Sequence, residues 1–334
     1  MPQPPSDQRP SDRCAVLAGL GTCLPARNVT NDDLAARLDT SHEWIHGRTG
    51  IATRRIAAEG ISTGDLATTA AGNALASAGR TSCDLVVVAT TTPDRACPAT
   101  APSVARALGL SGAAAFDLAA VCSGFVYALS TASAMIAAGT CRSALVIGAD
   151  LYSTITDPDD RGTAIIFGDG AGAVFLEPGS RTDPGAVLHH DLGSDGDGRD
   201  LITVAPGERY LSMRGREVYV QAVPGMTDSA LRVLKEAGWD AEDVDAFVGH
   251  QANIRILASV AKRLGLPEER VITNIEEVGN TAAASIPLAL AHGVREGRVT
   301  RGDRLLLTAF GGGLTWGSTA LTWSGAQPVH SVRG

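Results

Sequence analysis

The sequence predicts an α/β fold built from two similar halves, and three observations lead to it. Short, β-branched apolar runs at 84–90, 143–149 and 171–176 are fenced by polar residues and read as buried parallel strands. Alanine-rich stretches at 66–78, ahead of the first run, and 124–138, between the first two, read as helices, and this alternation implies a sheet covered on both faces. The order then recurs. The run at 244–250 answers that at 84–90, 303–309 answers 143–149, and 317–323 answers 171–176. The first two runs of each half are about 60 residues apart, the self-similarity expected of a duplication. Pro, Gly, Ser and Asp cluster at 177–184 and mark the join. The expected organisation is a flexible tail at 1–12, an N-terminal half at 13–180 carrying a nucleophile, and a C-terminal half at 181–334.

Composition narrows the function. With 44% hydrophobic and 19% charged residues, the 334-residue chain can bury a sizeable core, which excludes disorder for most of it. Acidic residues outnumber basic ones 36 to 28, and only 4% are aromatic, so a nucleic-acid partner is not expected. The six cysteines form no CxxC pair and no Cys/His cluster of zinc spacing, so no metal site is expected. A chain this rich in core needs no disulfide staples, which implies a reducing, cytoplasmic location. The Pro-rich start lacks the apolar segment of a signal peptide. The most apolar stretch, 113–139, is broken by Asp117, Ser123, Ser130 and Ser133, and reads as a buried helix and not a membrane span.

Three residues stand out chemically. Cys122 sits where a β-like run gives way to a helical one, so unpaired N–H groups and the helix dipole would favour a thiolate there. Alone, such a cysteine is more often a small core residue. His250 ends the first strand of the second half, and strand C-termini are where α/β sheets bind ligands. Asn280 precedes another small-residue helix, where a structural cap is the ordinary reading. The run 310–316, Phe-Gly-Gly-Gly-Leu-Thr-Trp, suggests a main chain pressed against a ligand.

Six motifs in order then carry a resemblance: Glu43-Trp-Ile with Arg48-Thr-Gly-Ile51, Cys122-Ser-Gly-Phe125, Asp160-Arg-Gly-Thr163 with Phe167-Gly-Asp-Gly-Ala-Gly172, His250-Gln-Ala-Asn253, Gly279-Asn-Thr281 and Gly311-Gly-Gly-Leu-Thr-Trp-Gly317. Together they resemble the β-ketoacyl-acyl-carrier-protein synthase III family of initiating condensing enzymes. The resemblance implies the thiolase-like fold, two duplicated α/β halves with central sheets packed in layers, and a homodimer. It implies that Cys122 takes an acyl group from an acyl-CoA primer, with the N–H groups of Cys122 and Gly312 as oxyanion hole. A malonyl-acyl carrier protein then loses CO2, and His250 and Asn280 donate to the enolate oxygen. The enolate attacks acyl-Cys122, giving a 3-ketoacyl-carrier protein for fatty acid or polyketide biosynthesis. No cofactor is implied beyond the coenzyme A thioester that is the substrate.

The resemblance places Trp44 and Arg161 at the adenine of coenzyme A, Arg48 at its phosphates, and Gly215 and Asn253 along the pantetheine. Phe310 joins the substrate-binding set. Cys97 stands where the family often carries a phenylalanine that reaches across the dimer interface to close the acyl pocket, which puts a small acetyl primer in question. Val220 stands where a carrier-binding lysine is often found, which puts the strength of that contact in question. Because the chain and its acidic carrier are both negative, a local basic patch is required. Arg255, Lys262 and Arg263 on an expected helix at 252–264 are the candidates, Arg255 and Lys262 being two turns apart on one face. Two other readings stay open. One is an acyltransferase of the same fold that moves the acyl group to an alcohol or amine. The other is a non-catalytic partner subunit, whose usual mark would be loss of the cysteine.

Overall fold

The computed structural model describes residues 13–334, and the tail expected at 1–12 lies outside the described residues. In chain order the strands are β1 (Arg13–Pro25), β2 (Arg27–Thr30), β3 (Thr53–Ile56), β4 (Leu85–Ala89), β5 (Ala114–Leu118), β6 (Ala144–Leu151), β7 (Asp169–Ser180), β8 (Val187–Ser194), β9 (Ile202–Thr203), β10 (Ser212–Met213), β11 (Ala246–Gly249), β12 (Arg304–Gly311), β13 (Thr315–Thr322) and β14 (Val329–Arg333). The α-helices are α1 (Asn31–Ala35), α2 (His42–Thr49), α3 (Thr63–Ala78), α4 (Ala101–Ala107), α5 (Gly124–Ala137), α6 (Gly215–Ala237), α7 (Ile254–Leu264), α8 (Ile275–Val278) and α9 (Ser285–Arg295).

Two sheets organise these elements: a six-stranded one ordered β14-β1-β7-β6-β4-β5 and a four-stranded one ordered β11-β12-β13-β8. β4 and β6 are buried at every position, as strands with helices on both faces must be. The central core joins Leu85, Val87 and Val146 of the first sheet to Val248, Leu305 and Leu307 of the second through α5 and α9, so these two helices form a middle layer. α3 and α4 cover the outer face of the first sheet, and α6 and α7 that of the second. The result is the layered α/β architecture expected, helices and sheets alternating in five layers.

The strands are not all parallel, as the apolar runs had suggested. β4, β5 and β6 run parallel, as do β11 and β12, but β7 is antiparallel to β6 and β13 is antiparallel to β12. The reason lies in the connections. Three residues separate β12 from β13, enough for a hairpin, whereas a parallel partner needs a crossover of a dozen or more residues, usually helical. The link from β6 to β7 holds only one short 3-10 turn and irregular backbone, with no helix to carry the chain back.

The duplication is exact enough to pair residues. Leu85 pairs with Ala144 across β4 and β6, and Ala246 with Leu305 across β11 and β12, at one constant offset along the chain. At that offset Val121 corresponds to Ala282, and both have positive φ, 48° and 47°, despite carrying side chains. Each opens a 3-10 turn that leads into a middle-layer helix. β5 has only a remnant in the second half, the single parallel bridge between Phe247 and Val271. Two details differ from the sequence reading of the halves. β7 continues through 177–180, and β14, near the end of the chain, pairs with β1 in the first sheet.

Candidate active site

Cys122, His250 and Asn280 reach one cavity of about 610 Å3 from three separate turns. Each is nearly buried, at 6%, 2% and 5% exposure. Cys122 lies in the 3-10 turn Val121–Ser123 between β5 and α5. The turn is clamped to the glycine loop after β12: Ser123 Oγ donates to the Thr315 carbonyl at 3.0 Å, and Thr315 Oγ1 donates to the Ala120 carbonyl at 3.1 Å. The fit is close. A Cβ on Gly311 would stand 2.8 Å from the Cys122 nitrogen, which is why a glycine ends β12. Neither the Cys122 N–H nor the Gly312 N–H has an acceptor among the described residues, so both remain free to donate.

The repeat explains how this vacancy arises. Asp150 of β6 is the counterpart of Gly311, and Ala283 that of Cys122. Across the halves, the Ala283 N–H donates to the Asp150 carboxylate at 3.0 Å. Thus the turn without a nucleophile is closed by a side chain, while the turn with the cysteine faces a glycine, which has no side chain to accept from it.

His250 follows β11 directly, held by its N–H to the Thr308 carbonyl at 2.8 Å. Gln251, wholly buried, fixes the loop behind it: its side chain donates to the Gly249 carbonyl at 2.7 Å and accepts from the Asn274 N–H at 3.1 Å. Burial holds His250 neutral, its pKa pushed down to about 3, and Nδ1 has no partner among the described residues. Asn280 is gripped by main chain, its N–H donating to the Ile166 carbonyl and its carbonyl accepting from the Gly168 N–H, each at 2.9 Å. Its Oδ1 accepts from the Ala282 N–H at 2.9 Å. The amide orientation is thereby set, and Nδ2 is the group left without a partner. The site therefore offers two neutral donors beside a sulfur.

The thiol departs from the expectation that the helix dipole would hold it as a thiolate. Burial pushes its pKa up to about 12, and the nearby Asp150 carboxylate adds to the rise. Desolvation disfavours charge more than one helix terminus favours it, so the resting Cys122 is a neutral thiol. Asp150 itself is raised to about 7 by burial, against the pull of N–H donors from Thr91 and Ala283.

Of the other expected residues, Trp44, Arg48, Gly215, Asn253, Arg255 and Phe310 line the same cavity. The Arg48 and Arg161 guanidinium carbons lie 4.6 and 4.9 Å from the centre of the Trp44 ring, so the indole is already covered by two cations. Asn253 caps α7, its Oδ1 accepting from the Arg255 N–H, which starts the helix two residues later than expected, at Ile254. Arg255 donates to the Gly47 carbonyl. Lys262 stands apart from the mouth, further along α7 in a separate groove with Glu268 and Glu269. Arg263 is exposed. Cys97 is exposed on the loop between β4 and α4 and does not line the Cys122 cavity of its own chain. Sequence reasoning passed over Asp150 and Tyr152. Both sit at the C-terminal end of β6, the rule that had singled out His250.

The chain is similar to known proteins over nearly all of its length. Residues 116–196 match the family model described as 3-oxoacyl-[acyl-carrier-protein] synthase III, and residues 234–323 match the model of its C-terminal part. A β-ketoacyl-[acyl-carrier-protein] synthase III of Streptomyces coelicolor is 67% identical over 96% of this chain and 97% of its own. The crystal structure of 3-oxoacyl-(acyl carrier protein) synthase III from Pseudomonas aeruginosa superposes with a TM-score of 0.91 at 54% identity, covering 93% of this chain and 98% of that one. A priming β-ketosynthase from a polyketide biosynthetic pathway superposes at 0.89 with 35% identity, over 96% of this chain and all of that one. The chain belongs to the β-ketoacyl-acyl-carrier-protein synthase III family, the condensing synthases that initiate fatty acid or polyketide chains.

Proposed function

We propose that this initiating condensation runs through Cys122, His250 and Asn280 with an acyl-CoA primer and a malonyl-acyl carrier protein. The convergence of a sulfur and two neutral donors on one cavity carries the reading. Cys122 Sγ bonds to the thioester carbonyl carbon and the C–S bond to coenzyme A breaks. The thiol proton leaves with the coenzyme A sulfur, so a neutral resting thiol needs no separate acceptor in the balance. The free N–H groups of Cys122 and Gly312 receive the oxyanion. In the second step the bond to the malonyl carboxylate breaks, CO2 departs, and the electron pair passes into an enolate. His250 and Asn280 Nδ2 donate to its oxygen. The enolate carbon then bonds to the acyl carbon and Cys122 Sγ is released as a thiolate, which takes one proton from water to return to the resting thiol. The net reaction is an acyl transfer, and no cofactor or metal is proposed.

The remaining assignments belong to the same proposal. Trp44 and Arg161 receive the adenine, which requires one guanidinium to leave the indole. Arg48 meets the phosphates, and Gly215 and Asn253 flank the pantetheine. Arg255 at the mouth, with Lys262 and Arg263 further along α7, meets the acidic carrier. The exposure of Cys97 supports a homodimer in which it serves the partner's acyl pocket. Among the described residues no helix is long and apolar enough to cross a membrane, and the cytoplasm is the proposed location.

The test is CO2 release from malonyl-carrier protein with and without acyl-CoA. Condensation predicts release coupled to primer. An acyltransferase to an alcohol or amine would discharge the acyl group without CO2, and a non-catalytic subunit would do neither.

A further inference from the structure

One polar group at the centre of the molecule has no use in the mechanism above. Tyr152, immediately after β6, is fully buried and lines the cavity beside Cys122. It packs in a small cluster with Cys122, Phe167, Leu211 and Ala282, its ring stacked on Phe167 at 4.6 Å between centroids. Its hydroxyl is inaccessible to water and has no hydrogen-bond partner among the described residues. A phenylalanine would fill the same space without burying an unpaired hydroxyl, so the oxygen calls for an acceptor absent from the resting thiol form.

Two groups could supply one. Thr91 Oγ1 is also buried and unpartnered, but a neutral hydroxyl would pair in the resting chain as readily as in any other state. Cys122 Sγ differs, because it is a weak acceptor as a thiol and a strong one as a thiolate. We propose that Tyr152 is a positioning residue for Cys122: its hydroxyl, unpaired in the resting chain, donates to Sγ when the thiol gives up its proton. A donor that engages only the charged form stabilises that form selectively. The need is local. Asp150 is buried near the end of β6 and its negative charge opposes the thiolate, while His250 across the cavity is neutral and contributes no compensating charge.

The proposal deepens the role given to Cys122, but its test reads the thiol directly and does not depend on turnover. The full-length chain and Tyr152→Phe are alkylated with iodoacetamide across a pH series, and the Cys122 peptide is quantified by mass spectrometry, which separates it from the exposed Cys97. The apparent pKa of Cys122 should rise by about one unit in the variant, with roughly tenfold slower alkylation below it. Tyr152→Leu should shift the profile in the same direction. Thr91→Val should leave it in place. Superimposable profiles for the wild type and Tyr152→Phe overturn the proposal, as does a shift in Tyr152→Leu alone, which would mark a packing role, or a shift in Thr91→Val equal to that of Tyr152→Phe.

Discussion

Replacing Gly311 by alanine would put a methyl group 2.8 Å from the Cys122 nitrogen and 3.0 Å from that of Ser123, both main-chain atoms. Neither can swing aside as a side-chain tip would. The turn is pinned by the Ser123–Thr315 and Thr315–Ala120 hydrogen bonds, so the strain must move the turn itself or open the end of β12. Either displacement takes the Cys122 N–H out of line with the Gly312 N–H. Loss of one such donor costs about 100- to 1,000-fold in rate, roughly 3–4 kcal/mol of barrier. Overpacking by one methyl should cost about 1–3 kcal/mol of stability. The informative assay is single-turnover acylation, followed as coenzyme A release on mixing with acyl-CoA. The KM for acyl-CoA should change little, because the methyl group lies away from the tunnel. Wild-type acylation by a folded Gly311→Ala would refute the claim that the glycine keeps the oxyanion site open.

Three further outcomes follow from the same geometry. His250→Ala and Asn280→Ala should each lower CO2 release by about 100- to 1,000-fold while leaving acylation of Cys122 intact, since acylation uses the main-chain donors; equal loss of both steps contradicts that division of labour. Cys97→Phe should shift preference toward shorter acyl-CoA substrates, read as kcat/KM across primer lengths at roughly 1–3 kcal/mol per methylene; an unchanged profile in a folded dimer removes Cys97 from the pocket. His250 and His190 titrate near 3 and 4 in the folded chain because burial resists their charging, so acidification below the ordinary histidine value of 6.5 favours the unfolded state. Asp150, raised to about 7, and Asp169, also raised by burial, act in the opposite sense over part of that range, but burial lowers His189 and His330 as well, so two carboxyls oppose four imidazoles. Urea midpoints should therefore fall from pH 7 to pH 5, and a flat or rising profile would contradict these burials.

Much of the site was legible because each proposed catalytic residue follows an apolar run or opens a small-residue helix. Cys122 lies four residues beyond β5, His250 one beyond β11, and Asn280 just ahead of the turn into α9. The duplication was legible from the order of apolar runs. Strand direction was not, because a fully buried strand shows the same composition whether its neighbour runs parallel or antiparallel. The charge state of Cys122 was not legible either: the helix terminus can be read locally, but the desolvation that outweighs it comes from residues distant in sequence. Nor could the sequence show that Lys262 would stand away from Arg255. Helical spacing put them on one face of α7, but what packs beside that face, α2 at one end and the Glu268–Glu269 segment at the other, is tertiary.

The central claim is that one sulfur carries the acyl group between the two steps. Intact-protein mass spectrometry tests it most directly. The chain is exposed first to a four-carbon acyl-CoA and then to malonyl-carrier protein, with peptide mapping at each stage. The account predicts a single acyl adduct, located on Cys122 and absent from Cys122→Ala, which disappears on addition of malonyl-carrier protein as CO2 is released. An adduct on another cysteine, or an adduct on Cys122 discharged without CO2, would contradict it.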